Sequence, residues 1–249
     1  MSQRFKDRIA VVTGAGGGIG EAYARALHGH GACVVIAERN EDAGATVAAE
    51  LGDRALFVRT DVSDPDSCIA MAQATIEAFG GIDHLINNAA IFADMEGVGI
   101  TTADPAYVES FMRVNLLGAA YCTRAVVGSM RERGGGSIVN QSSTAAWMSL
   151  SGFYGVAKAA LNSLTVCLAQ ELGGDNIRVN AIAPGPTDTA AMRKQVPSEF
   201  HDMLVDSLAI KRMGTPDDHV EPALFLLSDE AAWVTGHVLA VDGGQIPRI

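Results

Sequence analysis

Cysteine is scarce in this chain. The four in 249 residues, Cys33, Cys68, Cys122 and Cys167, lie far apart, with no C-x-x-C pair. Disulfide scaffolds and cysteine-held metal centres both need tighter clusters, so reduced thiols and no metal site are expected. The six histidines are also scattered, and His28 and His30 read as solvated residues at a helix end. Positive charge is in short supply as well. Eighteen Lys and Arg against 29 Asp and Glu leave a formal charge of −11 and a pI near 4.9. That balance argues against nucleic acid or an anionic membrane surface as partner. There is no apolar run long enough to span a bilayer, no signal peptide and no low-complexity tract, so a soluble, cytoplasmic protein is expected. What is plentiful is apolar residue: 48% of the chain, with a mean hydropathy of +0.18. That is enough for one sizeable core.

The apolar residues come in short β-branched runs separated by helical patterns. Strands are expected at Ile9–Val12, Ala32–Ala37, Ala55–Val58, His84–Ile86, Ser137–Asn140, Arg178–Ile182 and Val238–Val241. Between them the sequence predicts helices at roughly Asp42–Leu51, Pro65–Phe79, Pro105–Arg131 and Tyr154–Leu172, one of them with Pro65 in its first turn and two ended by paired glycines. Such alternation predicts a doubly wound, seven-stranded, mostly parallel α/β sheet with helices on both faces. With no repeat and no linker, residues 1–249 form one domain, and ligands should bind beyond the carboxyl ends of the strands.

The first strand runs into Thr13-Gly14-Ala15-Gly16-Gly17-Gly18-Ile19-Gly20, and a helical pattern follows. Strand, glycine turn and helix bring free N–H groups and a positive helix end to one point, where a pyrophosphate can bind. Glu38, at the end of the second strand, can accept hydrogen bonds from an adenosine ribose. The glycines are spaced G-x-x-x-G-x-G rather than G-x-G-x-x-G, and no Gly-Lys-Ser/Thr follows, which excludes a kinase-type phosphate loop. Further along, Tyr154 and Lys158 stand four apart in an Ala- and Leu-rich stretch, and so share a helix face. A cation beside a phenol favours phenolate and should lower the tyrosine from its usual value of roughly 10. A lowered tyrosine is a usable general acid or base.

Taken in order, Thr13-Gly14-x-x-x-Gly18-x-Gly20, Asp61-Val62, Asn87-Asn88-Ala89-Ala90, Asn115, Ser142-Ser143, Tyr154-x-x-x-Lys158, Pro184-Gly185 and Val241-Asp242-Gly243-Gly244 resemble the short-chain dehydrogenase/reductase family over essentially the whole chain. The resemblance implies hydride transfer between a nicotinamide cofactor and an alcohol or carbonyl. Under it, Tyr154 exchanges the proton of the substrate oxygen, and Lys158 lowers the tyrosine and holds the nicotinamide ribose. A serine binds the substrate oxygen; adjacent residues of an extended chain face opposite ways, so only one of Ser142 and Ser143 can, and aligning the Val139-Asn140-Gln141-Ser142-Ser143 run on the family's strand implies Ser143. Asn115 holds a water linking Lys158 to solvent or acts as a structural amide. Gly14, Gly18, Ile19, Gly20, Glu38, Asp61 and Val62 hold the adenosine half of the cofactor. Asn88 bonds the cofactor or braces the central strands, and Pro184, Gly185, Thr187 and Thr189 meet the nicotinamide end.

The chain departs from the family pattern in ending Asn-Asn-Ala with Ala90, in a short serine-to-tyrosine segment and in a long stretch from Phe92 to Asp104. Ala90, Phe92, Ala145, Trp147, Phe153, Pro186 and Met192 are expected in the substrate wall, and Pro186–Gly214, with Met192, Phe200, Met203 and Leu204, as either a lid or a surface helix packing its own apolar side. An apolar wall suits a cyclic, aryl or steroid-like secondary alcohol or ketone, with NAD preferred to NADP on the strength of Glu38. A 3-oxoacyl thioester reductase is the rival enzyme, kept open by Arg193, Lys194, Lys211 and Arg212, and a non-catalytic dinucleotide-binding sensor or scaffold is the rival from another class. Leu116, Tyr121, Val126, Leu164 and Leu168 predict apolar helix faces in excess of what the sheet covers, and the resemblance implies that they pair subunits into a homotetramer, or at least a dimer.

Overall fold

The computed structural model describes residues 3–149 and 151–246. Seven parallel strands form one sheet in the order β3-β2-β1-β4-β5-β6-β7. They are β1 Ile9–Thr13, β2 Cys33–Glu38, β3 Ala55–Arg59, β4 His84–Asn87, β5 Gly136–Gln141, β6 Ile177–Pro184 and β7 Val238–Val241. All seven expected strands are present, each within a few residues of its predicted bounds. The inner strands are buried on both faces, which is why they read as continuous apolar runs rather than alternating ones.

Helices α1 Gly18–Gly29, α2 Glu41–Leu51, α3 Pro65–Phe79, α4 Pro105–Met112, α5 Gly118–Glu132, α6 Gly152–Leu172, α7 Ala190–Gln195, α8 His201–Asp206 and α9 Val220–Leu227 connect the strands. Asn40, Asp64 and Asp104 cap α2, α3 and α4 by accepting backbone N–H bonds, and Pro65 and Pro105 open the last two. The single long helix expected from Pro105 to Arg131 is interrupted by a π-helical turn, Arg113–Leu117. One apolar cluster packs α1 and α9 on one face of the sheet, centred on Val12, Tyr23, Leu27 and Leu224. The other packs α3, α5 and α6 on the opposite face, around Met71, Leu85, Val126 and Val179. The strand order reverses between β1 and β4, and the crevice that opens there receives every motif singled out in the sequence. Among the described residues, no helix is long and apolar enough to cross a membrane.

Candidate active site

The glycine turn is drawn tight beneath α1. Gly14 and Gly18 have φ of +65° and +59°, the left-handed region that glycine occupies without strain. A Cβ on Gly20 would lie 2.3 Å from the Gly14 carbonyl oxygen, whereas one on Gly17 would meet nothing within 4 Å. The turn is therefore packed on its inner side and open on the side facing the cleft. Asn88 locks it: its Nδ2 donates to the Thr13 and Gly14 carbonyls, both at 3.0 Å, and its N–H donates to the Thr13 hydroxyl. Of its two expected roles, the brace is the one its contacts describe.

At the outer rim, the Glu38 carboxylate accepts from the N–H groups of Arg39 (2.8 Å), Asn40 (2.9 Å) and Gly16 (3.2 Å). Next to it, Asp61 accepts from the Ser63 N–H and hydroxyl. Burial raises the Asp61 carboxyl, but the Ser63 bonds, helped by Arg39 and Arg59, win and hold it below the usual carboxylate range. Gly14, Gly18, Ile19, Glu38, Asp61, Val62 and Asn88 all line one cavity of about 820 Å³, which continues to Ser143, Tyr154, Lys158 and the Pro184–Thr189 segment. That volume is typical of a ligand cleft.

At the far end of the cavity, Ser143 hydrogen-bonds the Tyr154 phenol. Ser142 turns the other way, its hydroxyl buried against Asn162 and the Lys158 carbonyl. Lys158 is 2% exposed, and its Nζ donates to the Gln141 carbonyl at 2.7 Å. The ammonium lies over the Tyr154 ring, 5.6 Å from its centroid, rather than at the phenolic oxygen. This overturns the expected titration. Burial pushes the phenol up to about 12, only partly offset by Ser143, and pushes the lysine down to about 8. The helical spacing brings the pair together as predicted, but in the ligand-free chain desolvation outweighs the cation.

Asn115 sits in the π-helical turn and donates Nδ2 to the Phe111 carbonyl at 3.1 Å. Its buried Oδ1 has no partner among the described residues. Beside it a small cavity of about 10 Å³ is lined by Thr13, Asn115 and Lys158, at the lower bound for holding one water.

Pro184 ends β6, and Gly185 packs so closely that a Cβ there would lie 2.7 Å from Asp242 Cα. The Thr187 hydroxyl donates to the Gly185 carbonyl and also meets His219 Nε2 at 2.8 Å. Its one proton is already used, so His219 must donate from Nε2, which leaves Nδ1 as a bare acceptor. That Nδ1 is buried without a partner among the described residues, and burial holds the ring down to about 4. The Thr189 hydroxyl accepts from the Met192 N–H and so caps α7.

Ala90, Phe92, Ala145, Pro186 and Met192 line the cavity as expected, with the Phe92 ring 5.3 Å from the Tyr154 ring. Trp147 and Phe153 do not. Trp147 ends a 3-10 turn with its side chain 41% exposed, and Phe153 precedes Tyr154 by one residue, about 100° around α6. Met95, Met148, Leu204 and Gln245 supply wall in their place. Met95 comes from the long 92–104 stretch. Of the apolar lid residues, Met192 and Leu204 face inward, while Phe200 and Met203 are exposed. The cations near the entrance are largely committed: Arg193 to Asp188, Lys194 to Asp94 and Arg212 to Asp218. His219 and Gln245 escaped the sequence reading. A histidine in a mostly acidic stretch, Asp217-Asp218-His219-Val220-Glu221, and a lone glutamine after Gly-Gly carry no periodic signal.

Residues 14–245 match a family described as enoyl-(acyl carrier protein) reductase. An uncharacterized oxidoreductase of Mycobacterium tuberculosis is 53% identical over 98% of this chain and 99% of its own length. The cis-4-hydroxycyclohexanecarboxylate dehydrogenase of Sinomonas cyclohexanicum is 38% identical over 98% of each chain. Among solved structures, the 3-ketoacyl-(acyl-carrier-protein) reductase of Brucella melitensis in complex with NADH superposes with a TM-score of 0.90 at 33% identity, over 97% of this chain and 99% of that one.

Proposed function

The chain belongs to the short-chain dehydrogenase/reductase family, and from that premise we propose that it interconverts a mostly apolar secondary alcohol and its ketone, using NAD(H). One observation carries this reading. The Ser143 hydroxyl, the Tyr154 phenol and the Lys158 ammonium stand together at one end of a cavity whose other end is a glycine turn flanked by Glu38.

The family binds a nicotinamide dinucleotide, which supplies or accepts the hydride when bound. The residues present fit such a group. The open side of Gly17 and Gly18 leaves room for a pyrophosphate beside the first N–H groups of α1. Glu38 would offer carboxylate oxygens to an adenosine ribose, Asp61 and Val62 would meet the adenine, and Gly185, Thr187 and Thr189 would meet the carboxamide.

With its phenol held near 12, Tyr154 is protonated at neutral pH and suited to give its proton to a ketone oxygen. Ser143 hydrogen-bonds that oxygen as charge develops. Lys158, easily deprotonated at about 8, can return a proton to the phenol and be recharged through a water beside Asn115.

The wall around this end includes Ala90, Phe92, Ala145 and Met192, which suits a cyclic, aryl or steroid-like ring. A relative named for a hydroxycyclohexanecarboxylate supports the ring alcohol, although that ring also carries a carboxylate. A 3-oxoacyl thioester on a carrier protein remains the second reading, favoured by the ketoacyl reductase among the similar structures. That substrate needs free cations at the entrance, and three of the four candidates are held by carboxylates. A non-catalytic dinucleotide sensor would need none of Ser143, Tyr154, Lys158 or Asn115. The test is a panel of secondary alcohols and ketones with NAD(H) and NADP(H), followed at the nicotinamide absorbance. Turnover of 3-oxoacyl thioesters alone would establish the second reading, and cofactor binding without any turnover would establish the sensor.

A further inference from the structure

Gln245 reaches the substrate end of the cavity from the far end of the chain, and the fold holds it there with care. After β7, the Asp242 carboxylate accepts from the N–H groups of Gly244 and Ile246, both at 3.1 Å, and the Gln245 N–H donates to the Asp242 carbonyl. Gly243 and Gly244 adopt φ of +61° and +77° to make the turn. The turn is pinned from two sides: Gly185 lies against Asp242, and the Ile210 N–H donates to the Gly243 carbonyl at 2.9 Å. The Gln245 side chain then meets Thr144, the residue directly after Ser143. The buried Thr144 hydroxyl donates to Gln245 Oε1 at 2.8 Å.

With the Thr144 hydroxyl as donor, the oxygen end of the amide is the end that faces Thr144. Oε1 is taken, and the two N–H donors on Nε2 have no partner among the described residues. Ala145, Met148 and Met192 line the same cavity, as do Ser143, Ser151 and Gln195, whose amide already donates to the Met95 carbonyl. Among the described residues, Arg39 and Lys158 are the lysines and arginines that line the cavity; Arg39 is next to Glu38 at the adenosine end, and Lys158 is bonded to Gln141.

A neutral amide donor recognises an uncharged oxygen acceptor and gives a carboxylate no counter-ion. We propose that Gln245, oriented by Thr144, is a specificity-determining residue that binds a second, uncharged oxygen of the substrate. The preferred substrates are then ring hydroxyketones and diols, ahead of mono-oxygenated or carboxylated rings. This inference rests on the proposed alcohol–ketone chemistry and adds to it the second contact point. A substrate lacking the oxygen leaves a desolvated N–H unpaired, a mismatch that costs about tenfold in kcat/KM.

The experiment compares kcat/KM for cyclohexanone, 3- and 4-hydroxycyclohexanone and 4-oxocyclohexanecarboxylate, in the full-length protein with NADH. A hydroxyketone is expected to exceed cyclohexanone about tenfold, and the carboxylate to be the poorest. Gln245→Leu should bring the hydroxyketone-to-ketone ratio to near one. Thr144→Val should lower the same ratio, and Thr144→Ser should restore it, which separates orientation of the amide from a fold defect. Gln245→Lys should raise the carboxylate relative to cyclohexanone by supplying the missing cation. Hydroxyketone-to-ketone ratios that stay the same in the parent, Gln245→Leu and Thr144→Val proteins overturn the subsite while leaving the reaction class intact. No turnover of any ketone overturns the reaction class, and the subsite with it.

Discussion

Lys158 offers the sharpest physical test, because its burial should cost stability that the reaction chemistry demands. The residue is 2% exposed, its ammonium donates to the Gln141 carbonyl, and it has no carboxylate partner among the described residues. Burial lowers its pKa from 10.5 to about 8. At 1.36 kcal/mol per pKa unit, keeping it charged in the folded chain costs about 3 kcal/mol at pH 7. The sign follows from proton counting. Between about 8 and 10.5 the unfolded chain holds a proton on Lys158 that the folded chain has released, so stability rises with pH in that window and is lost as pH falls through it.

The isosteric Lys158→Met removes the titration. In urea unfolding of the cofactor-free protein at pH 7, the variant should be the more stable by about 1–3 kcal/mol, the upper figure reduced by the lost bond to Gln141. Its advantage should shrink by about 2 kcal/mol by pH 9.5, as the parent gains stability and the variant does not. Tyr154 does not confuse the comparison, since a raised phenol contributes stability that is lost only as pH climbs from 10 towards 12. The variant should also have lost most of its turnover, a trade of activity against stability. Parallel stability curves for the two proteins from pH 7 to 9.5 would refute the premise that Lys158 is buried and charged.

Other consequences are more direct. Tyr154→Phe keeps the ring and removes the transferable proton, so turnover should drop by about 10²–10⁴ while cofactor binding, read by fluorescence titration, persists. Ser143→Ala should cut turnover far more than Ser142→Ala, because only the Ser143 hydroxyl meets the phenol; the reverse order in steady-state assays would put the active hydroxyl on Ser142. For the cofactor, a 2′-phosphate beside Glu38 meets repulsion of about 4 kcal/mol at an effective dielectric near 20. NAD should therefore be clearly preferred, and Glu38→Ala should narrow the kcat/KM ratio by freeing Arg39; equal use of NADP by the unmodified protein would end that assignment. Finally, Leu117, Val156 and Val166 leave 39–49% of their surfaces exposed, the first in the π-helical turn before α5 and the other two on α6. Val126, expected among the pairing residues, is instead buried in its own subunit's core. The exposed group should pair subunits into a homotetramer, and a monomer at micromolar concentration by light scattering would contradict it.

The sequence alone determined the alternation of strands and helices, the glycine turn and the meeting of Tyr154 with Lys158. Each of these is written in local periodicity or in turn chemistry, and a few neighbouring residues suffice to specify it. Buried parallel strands read as apolar runs, and four-residue spacing on a helix brings side chains together whatever surrounds them. What surrounds them was decided only by the tertiary structure. The ammonium stacks over the ring and bonds a carbonyl contributed by β5, so desolvation, invisible in a four-residue motif, reverses the expected shift of the phenol. Trp147 and Phe153 are apolar in the right neighbourhood, yet their backbone positions aim them away from the cavity. Gln245 meets Thr144 across 101 residues of chain. His219 becomes a neutral donor to Thr187 only because both are sealed from water. Periodicity specifies which face a residue shares with its neighbours, whereas burial and partners distant in sequence depend on the packed whole.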